Sequence, residues 1–252
     1  MIKKSLKNGL ALRFHNNTKD IKVLYDYEKE TQFKVYPSSK SIKIDEVLEM
    51  DYVNNESEFI NLLINRKSVR KFTQTGVSLN QLSKLLSLSF GFNHRKQYDI
   101  QFRTYPSAGS RYPIEIYPIV LKSDDMELGI YHYNVIENSI ELIKMGDYRE
   151  TIKMFYSNQA TIIDEAPCYI LFSMVFERTM NKYGEKGYRF IYLDAGHMSQ
   201  NLYLVSEFLG LGAVGIGGCK VDDDVIDKFL GLNQLQESFF YGFAIGNPLY
   251  SK

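Results

Sequence analysis

The sequence predicts an α+β domain in which a mostly antiparallel sheet is packed by helices. Three observations predict it. Helix and strand signals alternate irregularly instead of in repeated βαβ units, tight hairpins are present, and no GxGxxG or Walker pattern marks a doubly wound nucleotide-binding sheet. At 252 residues the chain can bury a core without disulfides or a structural metal, and its 44% apolar content excludes wholesale disorder.

Residues 1–54 read as a leader of mixed charge, expected to wrap over the core, with a turn at Tyr36-Pro37-Ser38-Ser39. No repeat or long linker divides the remainder, so residues 55–252 read as one domain. Its first helix opens at Ser57, whose hydroxyl can cap a segment carrying Phe59, Leu62 and Leu63 and running into Arg66. The second opens with the capping box Ser78-x-x-Gln81, places Leu82, Leu85, Leu86 and Ser89 on one stripe, and stops at Gly91. Ile114 to Leu121 reads as a strand, where Pro118 suggests an edge or a bulge, and Ile130 to Lys144 as a hairpin turning near Glu137-Asn138. Cys168 to Phe176 is almost continuously apolar and predicts a buried strand. A long helix follows from about Tyr188 to Leu209, with Met198, Leu202, Val205 and Leu209 at helical spacing and Gly210 as its stop. A glycine-rich strand (Val214 to Gly218), a helix from Asp222 to Leu230 and a strand from Phe239 to Ile245 complete the domain.

Charge excludes some functions. Lys+Arg and Asp+Glu balance at 30 each, leaving no net field to hold nucleic acid or an anionic membrane. Apolar stretches are broken by Asp194, His197 and Glu207 before they reach membrane length, and Cys168 and Cys219 are too few and too distant for a disulfide framework. A cytoplasmic protein is expected. The four histidines show no metal-ligand spacing, so no metal is expected.

Five segments could carry chemistry. Arg66-Lys67-Ser68-Val69-Arg70-Lys71 gathers four cations around a hydroxyl, which suits a phosphate or, equally, a solvated basic helix end. Tyr105-Pro106-Ser107-Ala108-Gly109-Ser110-Arg111-Tyr112-Pro113 is a loop of small residues that lets a flat ligand approach backbone, or a plain turn. Gly215-Ile216-Gly217-Gly218 has little side-chain bulk, which lets a planar group approach backbone or, equally, a strand edge pack tightly under a helix. Asp194, His197, Gln200 and Asn201 share one polar stripe of the long helix, which is solvated, lies in an interface or lines a pocket. Lys182-Tyr183 falls between the buried strand and the long helix, where a lysine acts as a base if burial or nearby cations depress its pKa. Basic and aromatic residues also interleave over 92–105; there the aromatics are expected to be core.

In order and spacing, Arg66-Lys67-Ser68-Val69-Arg70-Lys71-Phe72, Pro106-Ser107-Ala108-Gly109 with Pro113-Ile114-Glu115-Ile116-Tyr117, Leu193-Asp194-Ala195-Gly196-His197-x-x-Gln200-Asn201-Leu202 and Gly217-Gly218 resemble the FMN-dependent nitroreductase superfamily. More narrowly, they are similar to its SagB-type branch, the thiazole/oxazole-forming peptide dehydrogenases. The resemblance covers about residues 56–246, and Phe14-His15 and Lys34-Val35-Tyr36-Pro37 of the leader share it less specifically.

That resemblance implies a nitroreductase-like fold and an interface-sharing homodimer with FMN at the subunit boundary. Arg66, Ser68 and Arg70, with Lys67 and Gln200, would hold the flavin; Pro106, Ser107, Ala108 and Gly109 would come from the partner subunit; Ile216, Gly217 and Gly218 would present backbone near the reactive face. Lys182 and Tyr183 match the catalytic pair of that branch. Many members carry a further cation after the last strand, where this chain has only Lys252. The implied activity is oxidation of peptide azolines to azoles, with a peptide substrate and a cyclodehydratase complex as partners. The alternatives are an NAD(P)H-dependent reductase of nitroaromatics or quinones, and a non-catalytic subunit of a peptide cyclase.

Overall fold

The computed structural model describes residues 9–18, 58–97 and 100–249. In chain order these residues form α1 (Leu10–Thr18), α2 (Glu58–Asn65), α3 (Leu79–Phe90), β1 (Phe92–Gln97), β2 (Ile100–Arg103), β3 (Ile114–Val120), β4 (Gly129–Asn134) and β5 (Ser139–Met145). They continue with α4 (Arg149–Phe155), α5 (Ala160–Glu165), β6 (Cys168–Val175), α6 (Phe176–Tyr183), α7 (Gly187–Phe208), β7 (Gly212–Ile216), α8 (Asp223–Leu230) and β8 (Glu237–Gly246). Six strands make one antiparallel sheet in the order β5-β4-β3-β6-β8-β7, and β1 pairs with β2 in a separate ribbon.

The apolar run in β6 has a direct cause, since helices cover both faces of the sheet. Ile170 and Phe172 point into a core with Leu82, Leu86, Met198 and Leu202, while Tyr169 and Leu171 point the other way, toward Ile152, Phe155, Ile163 and Ile226. A strand covered on both sides needs apolar residues at every position. Each fully buried Ile, Leu or Phe contributes roughly 1.5–3 kcal/mol relative to exposure, so β6 and its neighbours anchor the domain.

Local signals set the helix ends. Ser78 caps α3 by accepting from the Gln81 amide while the Gln81 side chain accepts from the Ser78 amide. Gly210, with φ 71°, follows the end of α7. The β4–β5 hairpin turns at Asn138, φ 45°.

The edge or bulge expected at Pro118 is not found. β3 lies inside the sheet, its register with β6 is unbroken from Ile114↔Met174 to Val120↔Cys168, and Pro118 faces Ile170. Pairing with β4 is confined to Ile119↔Ile130 and Val120↔Gly129, so proline's missing N–H falls just outside that ladder. The aromatics of 92–105 are also not uniformly core: Tyr105 is buried, but Phe92 and Phe102 are half-buried on the outlying β1–β2 ribbon.

Ser57, the Tyr36–Ser39 turn and Lys252 lie outside the described residues. Within the leader, α1 packs on the body: its buried His15 bonds the Tyr188 hydroxyl at 2.9 Å and the Ser238 hydroxyl at 3.2 Å, and the Ala11 amide donates to Glu185. α2 buries none of its 8 residues, and Phe59, Leu63 and Ile64 are exposed.

Candidate functional site

Two groups of side chains form around α7. The first gathers beside the edge strand β7. Arg66 closes the last turn of α2 through its amide to the Leu62 carbonyl, and the chain then runs extended along β7, with the Val69 amide donating to the Ala213 carbonyl at 3.0 Å. Gly212 permits that approach, because a Cβ there would stand 2.6 Å from Val69 Cγ1. Lys67 to Lys71 are thus not the solvated end of a helix but a strip along a sheet edge.

Lys67, Ser68, Arg70 and Lys71 line a cleft of about 180 Å3 closed by Pro248. Ser68 Oγ lies 3.4 Å from the Tyr203 hydroxyl, the Arg66 guanidinium stacks 5.3 Å from the Tyr203 ring centroid, and the same hydroxyl accepts from the Gly215 amide at 2.8 Å. Tyr203, on α7, therefore fixes the strip against β7. Among the described residues Arg66, Lys67, Arg70 and Lys71 form no ion pair with a carboxylate. Cations left without counter-charges around a concave hydroxyl suit a phosphate. Past the end of β7, buried Ile216 gives way to exposed Gly217, around which a Cβ would meet no atom within 4 Å, and then to Gly218 at φ 76°. That backbone is open to a flat ring. The donors and the open backbone fit FMN.

The second group centres on the Ser107–Tyr112 loop. Asp194 of α7, only 2% exposed, accepts from Ser107 Oγ at 2.5 Å and from the Ala108 amide at 3.1 Å. Burial raises the Asp194 pKa, an effect opposed by these two bonds. Ser107 Oγ in turn accepts from the Tyr112 amide at 2.8 Å. The loop held this way is strained, with Gly109, Ser110 and Tyr112 at φ 61°, 55° and 46°.

Gly109 lies against Lys182 and Tyr183. A Cβ at position 109 would stand 2.7 Å from Lys182 Nζ and 2.6 Å from the Tyr183 hydroxyl, so glycine lets both side-chain ends come up against this turn, and its φ of 61° favours glycine as well. The pair sits on the last turn of α6; Lys182 is exposed with Nζ 5.4 Å from the Tyr183 ring centroid, and Tyr183 packs edge-on to Phe190. Pro106 and Gln200 are exposed at the margins.

Sequence reasoning named the loop and the Lys-Tyr pair separately; the structure brings them together. It missed Asp194 and Tyr203 as the residues that hold the two groups. Asp194 had a signal in its polar stripe, whereas Tyr203 had none. Nine residues separate them on α7, about two and a half turns or ~14 Å of rise, so they face opposite sides of the helix. The groups they hold do not merge within one chain.

The Nitroreductase family model matches residues 63–247. The chain belongs to the nitroreductase family. It is thus an oxidoreductase. It is similar to the nitroreductase-family protein MJ1384 of Methanocaldococcus jannaschii, 33% identical over 162 residues that cover 64% of this chain and 79% of that protein. It is also similar to the microcin B17-processing protein McbC of Escherichia coli, 26% identical over 43% of this chain and 42% of that protein. The nitroreductase fold recurs in the E. coli microcin synthetase McbBCD complex with truncated pro-MccB17 bound: TM-score 0.68, 21% identity, 88% of this chain and 79% of that one. Among the described residues no helix is long and apolar enough to cross a membrane.

Proposed function

We propose that this nitroreductase-family oxidoreductase binds FMN and oxidises azoline rings in a peptide to thiazoles or oxazoles. One observation carries the reading: Lys182 and Tyr183 converge on Gly109 of a strained loop held by a buried carboxylate. A reductase that passes hydride from a nicotinamide to a flavin has no use for a positioned amine and phenol there. An azoline oxidase does, because the ring α-carbon, acidified by the adjacent imine and carbonyl, must lose a proton as the neighbouring carbon loses hydride.

FMN, when bound, supplies the two-electron acceptor for that hydride. Lys182 takes the α-proton and Tyr183 hydrogen-bonds beside it, so each ring loses one proton and one hydride and becomes aromatic. Arg66, Lys67, Ser68 and Arg70 hold the phosphate, ribityl and pyrimidine edge, with Gln200 alongside, and Ile216 to Gly218 offer backbone to the ring system. The enzyme acts as a homodimer in which Pro106 to Gly109 of one chain face Arg66 to Arg70 of its partner. Two features support this: the groups lie on opposite sides of α7, and α2 beside the cation strip leaves an apolar face exposed. Lys182 and Tyr183 then enter the partner's flavin site together with the loop. A cyclodehydratase complex that forms the azolines is the fitting associate.

The test is Lys182→Ala with FMN still bound. Azole formation, read as loss of two hydrogens per ring by mass spectrometry, should fall at least ~10²-fold, with a smaller loss for Tyr183→Phe. NAD(P)H-driven nitroaromatic reduction should persist in both. Undiminished azole formation by folded Lys182→Ala overturns the assignment, and reduction without any azole formation by the wild type points to the reductase alternative.

A further inference from the structure

Apart from buried Tyr105, the described part of the interleaved basic and aromatic stretch 92–105 is not consumed by the core or by the flavin strip. It forms the β1–β2 ribbon, tied to the body where the Arg103 amide donates to the Tyr112 hydroxyl at 3.0 Å and the Thr104 amide to the Gly91 carbonyl at 2.9 Å. The ribbon walls two clefts of about 360 and 770 Å3, which meet at Arg103 and Tyr112. Both volumes fall in the range of ligand clefts, ~300–1,000 Å3.

Four guanidiniums line the joined groove: Arg95, Arg103, Arg111 and Arg178. Arg95 stacks 5.7 Å from the Phe102 ring centroid and Arg103 4.8 Å from that of Tyr112, which holds two of them in place over aromatic faces. Arg103 also leaves its buried Nε without a partner among the described residues. The one carboxylate in the lining, Glu115, is already engaged by His132 at 2.8 Å and by Arg178. Exposed Arg95 and Arg111 form no ion pair among the described residues. In a chain of zero net charge this is a local excess of cations.

The groove shares its floor with the Lys182 site. Ser107 and Ser110 line the smaller cleft and Arg111 and Tyr112 the larger, while Gly109 of the same loop touches Lys182. Arg178, one turn before Lys182 on α6, donates to the Tyr112 carbonyl at 3.1 Å.

We propose that this groove binds an acidic segment of the peptide substrate, flanking the ring presented to Lys182. The inference rests on the peptide-oxidase reading for the identity of the ligand as substrate. A peptide is favoured over a polynucleotide because the neutral molecule supplies no long-range field for a polyanion, and the exposed side-chain amide of Gln101 in the groove suits a backbone amide group.

The test is fluorescence anisotropy of the full-length protein as purified, with a labelled peptide of Glu, Ser and Gly, its Lys counterpart, and single-stranded DNA of equal length. The Glu peptide should bind at least ~10-fold more tightly than the Lys peptide and weaken steeply with salt, as exposed charge pairs do. The double variant Arg95→Gln/Arg111→Gln, both exposed positions, should lose at least ~10-fold in that affinity, and for a Glu-flanked azoline peptide should raise KM with kcat little changed. Equal binding of the two peptides, full affinity in the double variant, or tighter binding of DNA than of the Glu peptide each overturns the proposal. Azole formation on a substrate with uncharged flanks reports on the oxidase reading separately, so the two can fail independently.

Discussion

Asp194→Asn tests whether the loop anchor positions the Lys-Tyr site. The carboxylate accepts two bonds, from Ser107 Oγ and the Ala108 amide, and is buried at 2% exposure. Asparagine keeps the shape but has one acceptor oxygen and no charge, so one of the two bonds, to Ser107 Oγ or the Ala108 amide, loses its carboxylate acceptor. Losing a hydrogen bond to a charged group costs about 1.5–3 kcal/mol, partly offset because the neutral side chain removes the burial penalty on the carboxylate. What the bond restrains is a loop with Ser110 and Tyr112 at positive φ, a conformation that costs roughly 1–3 kcal/mol per non-glycine residue. A net loss of about 1.4–2.7 kcal/mol would lower the occupancy of the ordered loop, relative to its released form, by ~10–100-fold. kcat for azole formation falls with the ordered fraction, by up to this factor where the released form comes to dominate. FMN retention, carried mainly by the cations of the other group, should change less than kcat. Ser107→Ala removes the same bond from the opposite side, together with the acceptor of the Tyr112 amide, so the double variant should lose clearly less than the sum of the two single variants. Additive losses, or an unchanged kcat in folded Asp194→Asn, would refute the argument that this bond sets Gly109 against Lys182.

Three further outcomes are expected. Arg70→Ala should weaken FMN retention by about 1.5–3 kcal/mol in a folded protein, measured by flavin fluorescence titration; unchanged affinity would leave the cation strip without its cofactor role. Mixed dimers of Lys182→Ala and Arg70→Ala chains should recover azole formation at one site, because Lys182 serves its partner's flavin; no recovery on mixing would put both residues in the same chain's site. The bond that His132 donates to Glu115, opposed by burial and aided by the one it donates to Glu141, raises the His132 pKa, so its stabilisation is complete below the unfolded value of about 6.5 and is lost as pH rises through the raised folded value. Burial pushes Glu115 up, but His132 and Arg178 together hold it below the usual carboxylate range, so its contribution is lost as pH falls through that lowered value. Denaturant unfolding from about pH 5.5 to 9 should therefore show a decline on the alkaline side that His132→Gln removes; parallel curves would dismiss the pair as a source of stability.

Local patterns determined much of this protein. The capping box at Ser78 fixed the start of α3, the 3.6-residue stripe through Met198 and Leu202 fixed α7, and the unbroken apolar run from Cys168 fixed β6, because each depends on residues a few positions apart. The motifs that resemble the nitroreductases were equally legible, since their residue types and spacing are properties of the chain. Only tertiary structure decided that β8, last in sequence, lies between β6 and β7, that Pro118 sits inside the sheet, and that β1 and β2 form a ribbon apart from the main sheet. It alone set Gly109 against Lys182, 73 residues later, and gave Asp194 its loop to hold. The reason is physical: propensity and periodicity state which face of an element is apolar, whereas which elements meet is fixed by burying those faces together, and a polar residue such as Asp194 or Tyr203 acquires a role only from what that packing delivers to it.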